Sequence, residues 1–299
     1  MGQRVEILFK KIPITAVLEC RCTGVPPFRS AASRIAMRYL RIWLRLAAMS
    51  FMVQAESFLS SFGYLLGKLV RIGFFLFFLF SIFKHTSALA GYSLQEVALF
   101  FLTFNIVDIV AQLFFRGIYG IRSLIREGDF DYFLIQPANV LFRVAFQTVD
   151  FLDVVTILPV FAITIHVLRN INAGSPAITP SHWLLYALLT LNGLVIAFAI
   201  HIAVASLAVL TQELENTIWI YRDLMTLGRF PSDIYDSPMR TILTFIVPVA
   251  VMVSFPAKAF LGKLQMIWLL QAFFMAMTSL ALSLLFWRFA TRRYTSVSS

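Results

Sequence analysis

The sequence predicts an all-α, polytopic membrane protein, and three features predict it. Apolar residues make up 60% of the 299 residues and the mean hydropathy is +0.82, beyond the roughly 45–50% apolar share of a soluble domain. The apolar residues gather in runs close to the roughly 20 residues that a bilayer core requires. Basic residues gather outside those runs: residues 1–56 hold nine Lys and Arg, 116–143 hold four, and the tail beyond Trp287 holds three, 16 of the 25 in the chain. The positive-inside rule places all three segments in the cytoplasm, which requires an even number of spans. The net charge of +10 is therefore read as topology and not as a nucleic-acid footprint.

Residues 1–29 mix Lys, Cys, Gly and the Pro26–Pro27 pair without a helical period, and are expected to form a loosely ordered extension. The apolar run Ile12 to Leu18 is too short for a signal peptide. Cys20 and Cys22 are too close for an ordinary disulfide and lack partners for a zinc site. From residue 30 to 50 the pattern changes. Arg34, Arg38, Arg41 and Arg45 recur at spacings of four, three and four, which aligns them on one helical face, with Trp43 among the apolar residues elsewhere. The expectation is a basic amphipathic helix at the cytoplasmic interface, its guanidinium groups on anionic membrane lipids and Trp43 at the boundary. A solvated face that only fixes topology, or a docking surface for a cytoplasmic partner, also fits.

Six spans are expected, at about 57–83, 94–115, 145–168, 183–210, 214–230 and 265–287. The first contains Lys68 and Arg71 on one face, either snorkelling to headgroups or facing inward. The second carries the stripe Asn105, Asp108 and Gln112. It must face other helices or a wet cavity, as lining of a pathway or as interhelical hydrogen-bond glue. The third opens with Arg143, Gln147 and Asp150 on one face near the cytoplasmic edge. The fifth contains Arg222 and Asp223, and a rival topology keeps 214–240 cytoplasmic and makes 241–257 the fifth span.

Between the last two spans, Pro231, Pro238, Pro248 and Pro256 fall within 228–263. Each removes a backbone donor and disfavours helix just before it, so short helical pieces are expected. Broken backbone at membrane depth persists only where protein or a water-filled cavity covers it, which makes 231–262 a re-entrant element beside a transport path.

No enzyme chemistry is legible. Gly63 to Lys68 is one residue too short for a P-loop and continues into Leu69 inside a span. His85, His166, His182 and His201 are scattered singly, without metal-ligand spacing. No cofactor is expected in this chain.

The 116–143 loop, RGIYGIRSLIREGDFDYFLIQPANVLFR, is the informative cytoplasmic feature. Gly128 ends one short helix, Asp129 caps the next and Pro137 stops it. Phe130, Phe133 and Leu134 share a face of that second helix, with Tyr132 beside them, and form a ridge suited to a partner's groove or to resting on the membrane.

REGDFDYFLIQPANVLFR (126–143) resembles a segment of the membrane subunits of bacterial type-2 ABC exporters, and GRFPSDIY (228–235), LTFIVPVA (243–250) and FPAKAFLGK (255–263) resemble that family's second signature. The order and spacing also fit, over roughly residues 37–290. Ser232 and Asp236-Ser237-Pro238 depart from the family pattern, which bears on local loop geometry. The resemblance implies a six-span permease domain over 51–290 in the bacterial inner membrane, both termini cytoplasmic, followed by a tail at 291–299. It implies a connecting helix at 30–50, a coupling helix at 129–136 and a re-entrant unit at 231–262. Two such subunits, identical or related, would pair with two ABC ATPase subunits that bind ATP and Mg. The competing reading is an ion-coupled secondary transporter or channel using Asp108; an assembly subunit that transports nothing is a further alternative.

Overall fold

The computed structural model describes residues 31–56, 58–174, 178–211 and 215–295; the expected extension at 1–29, with Cys20 and Cys22, lies outside them, as does the end of the tail. The chain divides into two compact units, one ending at Ile42 and one beginning at Trp43, and the second carries the bundle. The architecture is all-α, with no strand among the described residues.

Helix α1 (Ala31–Glu56) is followed by α2 (Phe58–Phe83) and α3 (Leu94–Phe115). A 3-10 turn (Arg116–Gly120) leads into α4 (Ile121–Arg126), and then come α5 (Asp129–Ile135) and α6 (Val140–Phe146). The long helices α7 (Phe151–Gly174) and α8 (Pro180–Thr211) precede the short α9 (Glu215–Thr226). After further 3-10 turns come α10 (Ser237–Thr241), two π-helical turns (Ile242–Ile246 and Ala250–Ser254), α11 (Phe255–Phe260) and α12 (Met266–Arg293).

Among the described residues five helices are long and apolar enough to cross a membrane: Leu59–Phe83, Leu94–Arg126, Phe151–Ile171, Pro180–Thr211 and Met266–Arg293. Within them 78% of the apolar window of Leu94–Arg126 and 61% of that of Pro180–Thr211 are buried, against 17% for the first and last. Helices α3 and α8 are thus the inner pair, whereas α2 and α12 keep Phe74, Phe77, Met277 and Leu282 exposed, as helices bounded by lipid do. Ser93 starts α3 with a reciprocal capping box to Glu96, which fixes the helix end that meets the α2–α3 connection.

Four spans or boundaries differ from the expectation. The amphipathic helix does not end near residue 50 but runs to Glu56. The second span does not stop at 115, because α3 continues through the 3-10 turn to Arg126. The third begins at Phe151 and not at 145, because the backbone of 147–150 leaves the helix and is held by side chains. Gln54 donates to Val149 O at 2.8 Å and accepts from Phe151 N at 3.0 Å, while Ser50 Oγ accepts from Val149 N at 3.2 Å. The expected fifth span is α9 followed by the 3-10 turn Leu227–Arg229, and α9 is too short and too charged to qualify as an apolar crossing helix.

The proline stretch is broken as expected. Ser237–Ile246 and Ala250–Phe260 form two arms bent by 85° at a break that contains Pro248. Pro231 precedes the turn Ser232–Ile234, Pro238 sits in the first turn of α10, where a missing N–H costs nothing, and Pro256 lies inside the second arm just after its π-helical turn. Asp233, ahead of the first arm, bonds Lys258 near the end of the second, so both ends of the bent pair lie at one end of the bundle. That is the α2–α3 end, since Tyr92 and Glu96 meet Asp233 and Lys263 there. In the preceding segment Tyr221 packs on His201, and Phe230 on Phe75. The second arm presses on α8 at Gly193, where a Cβ would stand 2.6 Å from Met252 O.

Candidate functional site

Helix α5 is a two-turn element set between Gly128, in the left-handed conformation at φ 79°, and Pro137. The left-handed turn lets the chain reverse from α4 into α5 without Cβ strain. Its inward face is not the one expected. Phe130 is fully buried, 5.0 Å edge-on to Tyr294, in a cluster with Ile118, Ile125, Val144, Ile202 and Ala205. So short a helix gains little from its own hydrogen bonds, and burial of its largest side chain is what holds it to the bundle. Phe133 is half-buried at the edge of the same cluster, with the Arg143 guanidinium 4.5 Å above its ring. The outward surface is made of Tyr132, Leu134 and Ile135, with Ile135 78% exposed. Phe130 acts from beneath as the foundation, and that foundation includes α8 and, through Trp287, Ala290 and Tyr294, the end of α12.

A polar network lies between the helices. Lys68 of α2 and Asp153 of α7 form an ion pair with side chains 4% and 0% exposed, so Lys68 does not snorkel. Gln112 Oε1 lies 3.4 Å from the same ammonium, while its Nε2 is buried without a hydrogen-bond partner. Arg116 pairs with Asp150, which also accepts from Leu152 N and so caps the start of α7. Gln147 donates to Gly117 O at 3.0 Å. The Asn105–Asp108–Gln112 stripe therefore divides. Asn105 is buried and donates to Phe101 O of its own helix at 2.8 Å. Asp108 is half-buried, in the electrostatic neighbourhood of Tyr119, Tyr221 and Arg229, and makes no hydrogen bond or ion pair among the described residues. Only Gln112 joins the ionic network.

Around this network two cavities share Tyr64 and Arg116. One, of about 530 Å³, lies between α1, α2 and the start of α7; the other, of about 410 Å³, between α2, the end of α3 and α9. On α1 the side chains of Arg38, Arg41 and Arg45 are exposed, and the side chain of Arg34 lies outside the described residues. Trp43 is half-buried and packs 6.3 Å from Phe114 of α3. Ala47, Ser50 and Gln54 continue that inward stripe.

At the opposite end of the bundle a latch closes the bent pair. Asp233 accepts from Tyr92 Oη at 2.7 Å and Lys258 Nζ at 2.9 Å, and Lys258 also donates to Ser232 Oγ at 3.1 Å. Lys263 pairs with Glu96 at 2.6 Å and lies 4.3 Å from the Tyr92 ring centre. Burial pushes the Asp233 carboxyl up, but the bonds from Lys258 and Tyr92 outweigh it and hold the group below the usual carboxylate range. Sequence reasoning missed both the latch and the Lys68–Asp153 pair. The available signal for the pair was opposite charge in neighbouring apolar spans; the latch joins residues far apart in sequence and had none.

A model of the ABC-2 family transporter proteins matches residues 69–298. No curated protein and no solved structure shows significant similarity to the chain.

Proposed function

Because the chain belongs to the ABC-2 family of transporter proteins, we propose that it is the permease subunit of an ATP-driven exporter in a bacterial inner membrane, with both termini cytoplasmic. Family membership makes the chain the membrane component and not the ATPase, and implies association with ABC ATPase subunits. Two copies, or one copy and a related permease, form the path, and two separate cassettes bind ATP and Mg. Segment 215–230 is too short and charged to face lipid alone, but Tyr221 on His201 and Phe230 on Phe75 pack it against α8 and α2, so it completes a protein-covered fifth crossing, giving six, and the bent pair is re-entrant from the outer face. Both its ends meeting the α2–α3 connection supports this over a broken span, which would leave its ends on opposite sides.

The observation that carries the reading is α5, a short helix with an apolar outward surface of Tyr132, Leu134 and Ile135. ATP binding draws the cassettes together and contributes only through its higher affinity for the closed pair. Each cassette carries its α5 with it. Because Phe130 is packed in one cluster with α8 and α12, the displacement passes to those spans as a rigid-body tilt. Access to the route beside Asp108 and Gln112 changes in consequence. Co-purification of a cassette ATPase with the tagged chain, with ATP hydrolysis that rises on assembly, tests this directly.

The rival, an ion-coupled transporter or channel, draws on the unpaired, half-buried Asp108. It leaves the outward surface of α5 without a role. Proton- or sodium-driven flux by the isolated chain would favour it.

A further inference from the structure

We propose that the cavity between α2, the end of α3 and α9 is a binding site for an amphipathic anion, a phosphate or carboxylate group carried on an aromatic or aliphatic body. Its volume of about 410 Å³ falls in the range of small-molecule pockets, roughly 300–1,000 Å³. Four cations line it: Lys68, Arg71, Arg116 and Arg222. Asp153 and Asp150 neutralise Lys68 and Arg116. Among the described residues no carboxylate stands within ion-pair distance of Arg71 or Arg222, and Asp108 pairs with neither. The cavity therefore holds two guanidinium groups, exposed Arg71 and half-buried Arg222, that no neighbouring carboxylate pairs, and a cation within an apolar membrane segment favours a counter-ion.

A second observation points the same way. Gln112, only 3% exposed, lines the cavity, and its Nε2 donor has no partner. A buried amide donor without a partner costs free energy, and a small shift of the Gln112 side chain toward a ligand in the cavity would let an anionic oxygen, the stronger acceptor, take that bond. The rest of the wall suits the body of such a ligand. Tyr64, Tyr119 and Trp219 contribute rings, with Trp219 57% exposed. The Arg222 guanidinium already stands 5.2 Å over Trp219, and Arg116 stands 5.5 Å over Tyr64, which holds both forks in place before a ligand arrives. The neighbouring cavity of about 530 Å³, lined by Ser50, Gln54, Ser60 and Ser61, gives a polar approach past Tyr64.

This goes beyond the permease reading in naming what the route accepts, and binding itself requires no cassette. The test uses the full chain in phosphatidylcholine nanodiscs and measures equilibrium binding of 1-naphthyl phosphate, 1-naphthol and inorganic phosphate. The expected result is at least tenfold tighter binding of naphthyl phosphate than of either fragment. Arg71→Gln/Arg222→Gln removes that preference, and Arg71→Lys/Arg222→Lys restores part of it in a chain of equal charge. Nanodiscs containing phosphatidylglycerol identify the source. Displacement of naphthyl phosphate makes a lipid headgroup the resident anion, and undiminished binding makes it a soluble one. Equal affinity for naphthyl phosphate and naphthol, or a preference untouched by the Gln pair, overturns the proposal. Such a failure with cassette association intact leaves the permease reading standing, and lost association with anion binding intact does the reverse.

Discussion

Lys68 on α2 and Asp153 on α7 meet as an ion pair with almost no exposed side-chain surface, and the second oxygen of Asp153 has no partner of its own. The pair joins two helices whose remaining faces are largely open to lipid. Removing one member leaves the other charged and buried, which costs about 3–5 kcal/mol, whereas replacing both with apolar residues of similar size is close to neutral. Lys68→Met or Asp153→Leu alone should therefore lower the thermal midpoint of the purified chain sharply, and the double replacement should recover most of the loss. A double variant as unstable as the worse single would show that the charges themselves are required.

The Asp233 latch gives a pH signature. Its carboxyl is held below the ordinary range, so its contribution is fully present above the unfolded pKa of about 3.9 and is lost as pH falls through the lower folded value. Asp233→Asn should be less stable than the parent by a constant margin from pH 8 to about pH 5. The margin should shrink below pH 4. Thermal unfolding of both proteins across that range checks this, and a margin at pH 3 undiminished from that at pH 7 contradicts it.

Gly193→Ala should destabilise by about 1–3 kcal/mol, because the new methyl group meets backbone atoms of Met252 at 2.6 and 3.0 Å and neither helix can give way locally. Gly63→Ala is the control, since a Cβ there meets nothing within 4 Å and gains helix propensity. Thermal midpoints should fall for the first and hold or rise for the second.

Much of the fold was legible because hydropathy runs, prolines and basic clusters are one-dimensional signals: Gly128 and Pro137 bounded α5, and Pro248 marked the bend. What was not legible depends on which face of a helix meets its neighbours. The ridge of Phe130, Phe133 and Leu134 divides: Tyr294, from the far end of the chain, covers Phe130, whereas Leu134 stays on the outward surface. The type of Trp43 suggested the membrane boundary but gave no hint of its contact with Phe114 of α3. Gln54 and Ser50 gave no hint that they hold the broken backbone at Val149, and that break is why the third span starts late.

Phe130→Ala should act through stability, at about 3–5 kcal/mol, since it empties a fully buried site shared with α8 and α12. If Phe130 instead met the cassette directly, its loss would impair association with the fold unchanged. Comparing the melting temperature with cassette recovery separates the two.

The most direct measurement is cassette recovery and ATPase stimulation by Ile135→Asp. Ile135 is 78% exposed, so a charge there should leave the amount of folded chain unchanged. Placed in an apolar partner contact, it should cost about 2 kcal/mol or more, roughly thirtyfold in affinity. A thirtyfold loss of association, with coupling of ATP hydrolysis lost alongside, is the predicted result; unchanged recovery and unchanged stimulation would contradict the assignment of α5 as the surface through which the cassette drives this chain.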